Sequence, residues 1–277
     1  MKPITRKKIN NAIVLLQKYE KLALQLNSDG FFLAFSGGKD SQLLYLIAEL
    51  SGVKFKAYYS NTTNDAVENV RFIREKYPNV TFLIPKENFY KLVAKKGLPT
   101  TKKRYCCAIL KEQAGAGYAV LTGERKEESA KRRKYTSVVI QSRNEKRAKI
   151  ISENEIVKHE CIKGRDKLRI RPILEFTENE VWEILKHYNI PKNPCYNTQS
   201  RIGCILCPFA PKKQIEDYLQ RYPRIKRNIL KSLQTFLDSK EGFFTDAEEC
   251  FDWWLSKKSV AEWKANKKQT TIEFYQE

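Results

Sequence analysis

The chain contains no run of about eighteen apolar residues, the length a membrane-crossing helix needs, and no secretory leader opens it. These two absences lead us to expect a soluble, cytoplasmic protein with no membrane partner. Walker A, GxxxxGK[ST], is missing too, so any phosphate-binding loop must be of another kind. No internal repeat is visible. Acidic residues are scarce: 32 Asp and Glu against 52 Lys and Arg leave a net charge of +20, with a pI near 9.6. Such a charge attracts polyanions and says nothing of fold. It makes nucleic acid the expected partner, the alternative being a merely lysine-rich, solvated surface.

What is present is enough for a real core. Apolar residues make up 42% of 277, suiting one large α/β domain with an appendage or two small domains. Seven cysteines in a cytoplasmic chain point to metal or redox chemistry over disulfides.

The chain is organised around Phe31–Leu50. Phe31 to Phe35 is a short apolar run that reads as a buried strand. Ser36-Gly37-Gly38-Lys39-Asp40-Ser41 breaks it, and Leu43, Leu44, Ile47 and Leu50 then recur at helical spacing. Strand, glycine turn and helix form the geometry in which backbone N–H groups converge on an anion. Gly37 and Gly38 carry no Cβ to block a phosphate, Ser36 and Ser41 offer hydroxyl donors, and Lys39 offers an ammonium. Asp40 orients the turn or is simply a carboxylate on the helix dipole.

A basic amphipathic helix precedes this motif within residues 1–29, with Ile9, Ile13, Leu16, Tyr19, Leu22 and Leu26 on one stripe. After the motif come a strand from Val53 to Tyr59, a polar turn at Ser60-Asn61-Thr62, a helix from Ala66 to Tyr77 stopped by Pro78, and a strand from Val80 to Ile84. The alternation implies an α/β fold: a mostly parallel twisted sheet with helices on both faces and ligands bound outside the carboxyl ends of the strands. Ser60 falls at one such end. Ala119 to Thr122 reads as a further strand, ending in Gly123-Glu124-Arg125 with Ser129 and Arg132 beyond; Lys131 to Lys134 is either a phosphate-binding run or a solvated face. Residues 136–170 suggest short strands or ordered loop. Thr177 with Glu180 makes a capping box before another helix. We expect a nucleotide-binding domain over 30–195, a cysteine-bearing helical C-terminal region over 196–265, helical from Lys212 to Lys264, and a poorly ordered polar tail over 266–277.

Cys106-Cys107 and Cys204-x-x-Cys207 form a second anchor. A CxxC hairpin brings two thiolates to one metal centre, and the adjacent pair can supply two more. Neighbouring side chains point apart, which is awkward for one tetrahedral zinc and easier for the separate irons of a 4Fe-4S cluster; zinc and unliganded thiols are the alternatives. Cys161 and Cys250 read as buried small hydrophobes. Cys195 is a packed core thiol, a spare ligand or a reactive thiol near the site.

The hexapeptide resembles the PP-loop, SGGxDS, of the N-type ATP pyrophosphatases. From about Gly30 to Pro208 the chain resembles the phosphoadenosine phosphosulfate (PAPS) reductase family, a branch of the HUP-like adenine nucleotide α-hydrolase superfamily. The further landmarks are Gly97-Leu98-Pro99, Arg104-Tyr105-Cys106-Cys107, Gly123-Glu124-Arg125, Arg171-Pro172-Ile173 and Arg201-Ile202-Gly203-Cys204 with Cys207-Pro208. The resemblance implies that Ser36, Gly37, Gly38, Lys39, Asp40, Ser41, Ser60, Gly123, Arg125, Ser129 and Arg132 hold an adenine nucleotide with Mg²⁺, with Lys39, Asp40 and Arg125 catalytic. It also implies a 4Fe-4S cluster on Cys106, Cys107, Cys204 and Cys207. Two departures matter. The Glu-Cys-Gly-Leu-His tail that carries the nucleophile of family reductases is replaced by Thr271 to Glu277, and the usual Asp-Thr-Gly turn is Asn61-Thr62-Thr63. Without that thiolate, the resemblance shifts toward the ATP-pyrophosphatase component of DNA phosphorothioation systems, whose partners are DNA and a cysteine desulfurase. The same features suit tRNA thiolation. An APS or PAPS reductase with its nucleophilic cysteine displaced or supplied in trans, and a non-catalytic nucleotide-sensing DNA-binding subunit, are the alternatives.

Overall fold

The computed structural model describes residues 1–141, 149–150, 162, 166–240 and 242–265. Cys161, most of the rest of 142–165 and the 266–277 tail lie outside the described residues. The chain forms two compact units: one of Met1–Asn61, Asp65–Pro85 and Leu110–Ile202, the other of Thr62–Asn64, Lys86–Ile109 and the chain from Gly203 onward.

The first unit is built on one seven-stranded sheet. Its strands are β1 (Phe31–Phe35), β2 (Phe55–Ser60), β3 (Thr81–Leu83), β4 (Ala119–Leu121), β5 (Val138–Gln141), β6 (Lys149–Ile150) and β7 (Lys167–Ile170), in the order β3-β2-β1-β4-β7-β5-β6. The run from β3 to β7 is parallel. β5 pairs antiparallel with β7, and β6 with β5, so the stretch that read ambiguously contributes an antiparallel edge. A parallel strand at the centre is covered on both faces, which is why β1 reads as an unbroken apolar run. Phe31 and Leu33 are fully buried, each stabilising the fold by about 1.5–3 kcal/mol.

Helices surround the sheet. α1 (Pro3–Leu26) buries Ile9, Leu16, Tyr19 and Leu22, four members of the expected stripe, and packs on α2 (Lys39–Ser51). Proline in the first turn of α1 loses no hydrogen bond there, because those N–H groups have no intrahelical acceptor. α2 buries Leu43, Leu44, Leu46 and Ile47. α3 (Val67–Lys76) and α6 (Glu178–His187) complete the set, α6 capped by the expected reciprocal Thr177–Glu180 pair. Sequence order turns back between β1 and β4: β2 and β3 lie on one side of β1, β4 and β7 on the other. The loops leaving β1 and β4 at their carboxyl ends therefore diverge and leave a crevice.

The second unit is helical: α4 (Phe89–Lys96), α5 (Tyr105–Leu110, whose last residue belongs to the first unit), α7 (Lys212–Arg221), α8 (Pro223–Asp238) and α9 (Ala247–Ser256). Pro223 separates α7 from α8, where the sequence read as one helical stretch. α4 packs on α8 and α8 on α7 and α9; the Trp254 indole donates to the Pro99 carbonyl at 2.6 Å. Among the described residues no helix is long and apolar enough to cross a membrane.

Candidate active site

The Ser36–Ser41 loop closes on itself. The Ser36 N–H donates to Ser41 Oγ at 3.1 Å, and Ser41 Oγ donates to the Gly38 carbonyl at 2.8 Å. Asn69 Nδ2 donates to the Ser36 carbonyl at 3.2 Å, and Asn193 Nδ2 to the Gly37 carbonyl at 2.9 Å and to Asn69 Oδ1 at 2.8 Å. In a trans peptide the C=O of one residue and the N–H of the next point opposite ways. Each of the N–H groups of Gly37, Gly38 and Lys39 therefore points away from the side chain that holds the carbonyl before it. Gly37 sits at φ +76°, which L-residues disfavour. Gly38 follows in an extended conformation as the cap of α2, so the helix dipole adds positive potential at the same place.

A cleft of about 440 Å³ opens over this loop, lined after β1 by Ser36, Gly38, Lys39, Asp40 and Ser41, after β4 by Gly123, Glu124, Arg125, Glu127, Glu128 and Arg132, and further by Glu178, Tyr196 and Arg201. Of the residues expected from the sequence, Ser36, Gly38, Lys39, Asp40, Ser41, Gly123, Arg125 and Arg132 line it; Gly37 lies in the loop beneath. Ser60 and Ser129 are not among the lining residues. Ser129 instead accepts the Arg132 N–H through its hydroxyl. Gly123 allows a close approach: a Cβ there would stand 3.1 Å from the Asp40 carbonyl oxygen, and the backbone would have to give by a few tenths of an ångström.

The charges are arranged as a lattice. Lys39 Nζ lies 3.3 Å from Asp40 and 3.6 Å from Glu178. Arg125, expected to clamp the anionic end of a nucleotide, is only 2% exposed and already engaged. Its Nε meets Asp40 at 2.6 Å and its Nη1 meets Glu127 at 2.8 Å. Burial works against the Arg125 charge, but Asp40 and Glu127 outweigh it and hold the guanidinium firmly protonated. Arg125 thus fixes the orientation of Asp40, and Lys39, Arg132 and Arg201 are the other cations facing the cleft. Beside it, burial would raise the Glu124 carboxyl, yet Arg169 and Arg171 keep it below the ordinary carboxylate range.

Tyr196 occupies the cradle. Its hydroxyl accepts the Lys39 backbone N–H at 2.8 Å, and its ring stands edge-on to Trp182 with centroids 5.0 Å apart. Burial raises the phenol well above its usual range, so it stays protonated and neutral. A neutral oxygen thus accepts the Lys39 N–H.

In the second unit the four motif cysteines are all half-buried. Cys106 is hydrogen-bonded to Cys107, and this contact, then burial and the nearby Cys204, push its thiol up. Thr62 Oγ1 and Cys204 Sγ share a hydrogen bond at 3.5 Å. Among the described residues no three His, Cys, Asp or Glu side chains are drawn together tightly enough to hold a metal ion. Within the described residues the expected four-thiolate set is not closed around one point; Cys106 pairs with Cys107, and Cys204 with the Thr62 hydroxyl. Soft sulfur donors gathered from two segments nevertheless suit iron or zinc.

Residues 30–210 match the phosphoadenosine phosphosulfate reductase domain family. The chain belongs to that family. Within this PAPS reductase domain lie the loop, the cleft and all four motif cysteines. An uncharacterized protein of Methanocaldococcus jannaschii is 25% identical over 81% of this chain, which spans about half (52%) of that protein's length. An uncharacterized 37.8 kDa protein of Escherichia phage 186 is 37% identical, over 19% of this chain and 16% of its own. Among solved structures, a PAPS reductase from Candida auris in a phosphate complex aligns over 69% of this chain and 93% of its own, at 15% identity and TM-score 0.43. A Candida glabrata FMN adenylyltransferase aligns over 72% and 61%, at 17% identity and TM-score 0.47.

Three features of this PAPS reductase domain escaped the sequence reading. Tyr196 and Asn193 reach the loop from more than 150 positions away, and Glu178 opens a helix whose first turn reads only as dipole-favoured. No local spacing signals any of them.

Proposed function

We propose that this PAPS reductase domain is an ATP pyrophosphatase that adenylates a nucleic-acid phosphate or base for sulfur incorporation, DNA phosphorothioation being the specific case. A nucleic-acid oxygen attacks the α-phosphorus of ATP, the α–β bridging bond breaks, pyrophosphate leaves, and a sulfur nucleophile then displaces AMP. Cysteine desulfurase chemistry would supply that sulfur. What supports the reading is the side-chain-anchored Ser36–Ser41 loop at the start of α2, whose Gly38 and Lys39 line a cleft that also presents the Lys39 ammonium. Preorganised donors of this kind stabilise the charge that grows on departing pyrophosphate.

Each residue has a part in that scheme. Lys39 neutralises the phosphate tail, and Arg125 holds Asp40. Asp40 with Glu178 offers the hard oxygen donors that Mg²⁺ takes alongside phosphates. Cys106, Cys107, Cys204 and Cys207 would hold a 4Fe-4S cluster, which supplies redox chemistry when bound; the chain's own share is four half-buried thiols. The family's reductase activity is the second reading, favoured by membership itself. It needs a mobile thiolate, whereas Cys195 and Cys250 are buried and burial pushes the Cys250 thiol up to about 11.

Anaerobically purified protein given ATP, with and without duplex DNA, tests the proposal through pyrophosphate release. Release stimulated by DNA supports it. Thioredoxin-dependent sulfite from a sulfonucleotide, with no pyrophosphate, would overturn it.

A further inference from the structure

The positive charge of the second unit is not spread evenly. Residues 86–109 and 203–240 hold fifteen Lys and Arg against four Asp and Glu, whereas 241–265 reverse the sign, three against six. A uniformly lysine-rich surface would not divide in this way. Helix polarity sharpens the contrast. α3, α6 and α9 place acids in their first turns, as the helix dipole favours. α7 and α8 do the opposite: neither has an acid in its first turn, and Lys212 and Lys213 open one while Arg224 and Arg227 lie near the start of the other. Cations placed against the dipole weaken a helix unless an outside anion offsets them.

On α8, Arg224, Arg227 and Lys231 fall at i, i+3 and i+7, all exposed, on the side opposite buried Ile229 and Leu233. They form one ridge about 10 Å long at the helical rise. Elsewhere in the same unit, Phe209 is 57% exposed with the Arg104 guanidinium 5.2 Å from its ring centre. A large aromatic left in solvent beside a cation is a stacking surface for a base or ribose.

We infer that the α7–α8 face of the cysteine-bearing unit docks the phosphate backbone of a nucleic acid, with Arg224, Arg227 and Lys231 as its phosphate ridge. This rests on the function proposed above and deepens it by giving the polymer a seat.

The test compares two charge-matched triple variants, R224E/R227E/K231E on α8 and R6E/K7E/K21E on the exposed side of α1. Binding of labelled duplex DNA, and of an RNA hairpin of equal length, is followed by fluorescence anisotropy across a salt series. We expect the α8 triple to bind at least about tenfold more weakly. Its log K against log salt slope should fall by about 2–3, near 0.9 for each phosphate that the ridge no longer neutralises. The α1 triple should change little, and ATP affinity should hold in both. The DNA and RNA arms identify which polymer is seated. Equal losses in the two triples would show that net charge alone attracts the polymer and would overturn the inference. So would an unaffected α8 triple, in that case leaving DNA-stimulated pyrophosphate release intact. Wild-type protein that binds neither polymer would defeat the function as well. R224Q/R227Q/K231Q repeats the test should charge reversal impair folding.

Discussion

Gly37 and Gly38 are neighbours with different physical duties, and substituting each by alanine should separate folding from binding. At Gly37 the backbone sits at φ +76°, and an added Cβ would stand 2.4 Å from Asn69 Oδ1 and 3.0 Å from Ile73. The left-handed conformation costs an L-residue about 1–2 kcal/mol. Displacing Asn69 from Asn193 forfeits a buried hydrogen bond of about 1 kcal/mol. The reduced freedom of the unfolded chain returns about 0.4–1 kcal/mol. Gly37→Ala should therefore lose on the order of 2 kcal/mol. Gly38 has φ −82° and ψ 161°, ordinary for alanine; its added Cβ would meet Ser36 Oγ at an ordinary 3.6 Å and press on the Tyr196 hydroxyl at 3.2 Å, a side-chain end that has to give by a few tenths of an ångström. A poorer helix cap, about 0.5–1 kcal/mol, and the entropy gain nearly cancel. That Cβ, however, projects toward the Tyr196 hydroxyl at the Lys39 N–H, where the function proposed above places a phosphate oxygen. Urea denaturation and ATP titration calorimetry on both variants read the split. Gly37→Ala should shift the midpoint clearly, and Gly38→Ala should leave it nearly unchanged while weakening ATP about tenfold or more. Gly38→Ala binding ATP as wild type does, or Gly37→Ala as stable as wild type, would refute the reasoning.

Tyr196→Phe removes the hydroxyl that accepts the Lys39 N–H, so pyrophosphate and ATP should bind about three- to tenfold more tightly, the worth of one hydrogen bond; unchanged or weaker calorimetric affinity would contradict this. Burial and the neighbouring Arg169 bring the Lys167 ammonium down to about 8 from its ordinary 10.5. Between those values the unfolded chain binds more protons, so this group's contribution to stability rises with pH from about 8 to 10.5. Urea midpoints at pH 8 and pH 10 should show that rise in wild type relative to Lys167→Met, and equal pH responses in the two would contradict it. Cys107→Ser should lower the iron content of anaerobically purified protein and bleach its visible absorbance, whereas full iron and colour would remove Cys107 from the cluster.

Local chemistry made much of this protein readable. A buried strand, a glycine break and an apolar-periodic helix are each specified within a few residues, and β1, its loop and α2 fall where Phe31 to Leu50 places them. The carboxyl-edge site follows from parallel pairing alone. Interactions that join distant segments were not readable. Arg125 looks like a free cation in sequence, and only the fold brings Asp40 against it. Tyr196 lies in a turn with no motif, and its role exists only because the fold sets its hydroxyl against Lys39. The second unit draws Thr62–Asn64, Lys86–Ile109 and the chain from Gly203 into one body, a grouping that no composition shift announces. The thiols of Cys106 and Cys204 come close within it, but their spacing says nothing of how tightly they close.

A crystal grown with a non-hydrolysable ATP analogue tests the phosphate cradle most directly. Phosphate oxygens should lie within about 2.7–3.2 Å of the Gly38 and Lys39 backbone nitrogens, with the Tyr196 hydroxyl displaced from Lys39. Nucleotide bound elsewhere while Tyr196 keeps its bond to the Lys39 N–H would contradict the account.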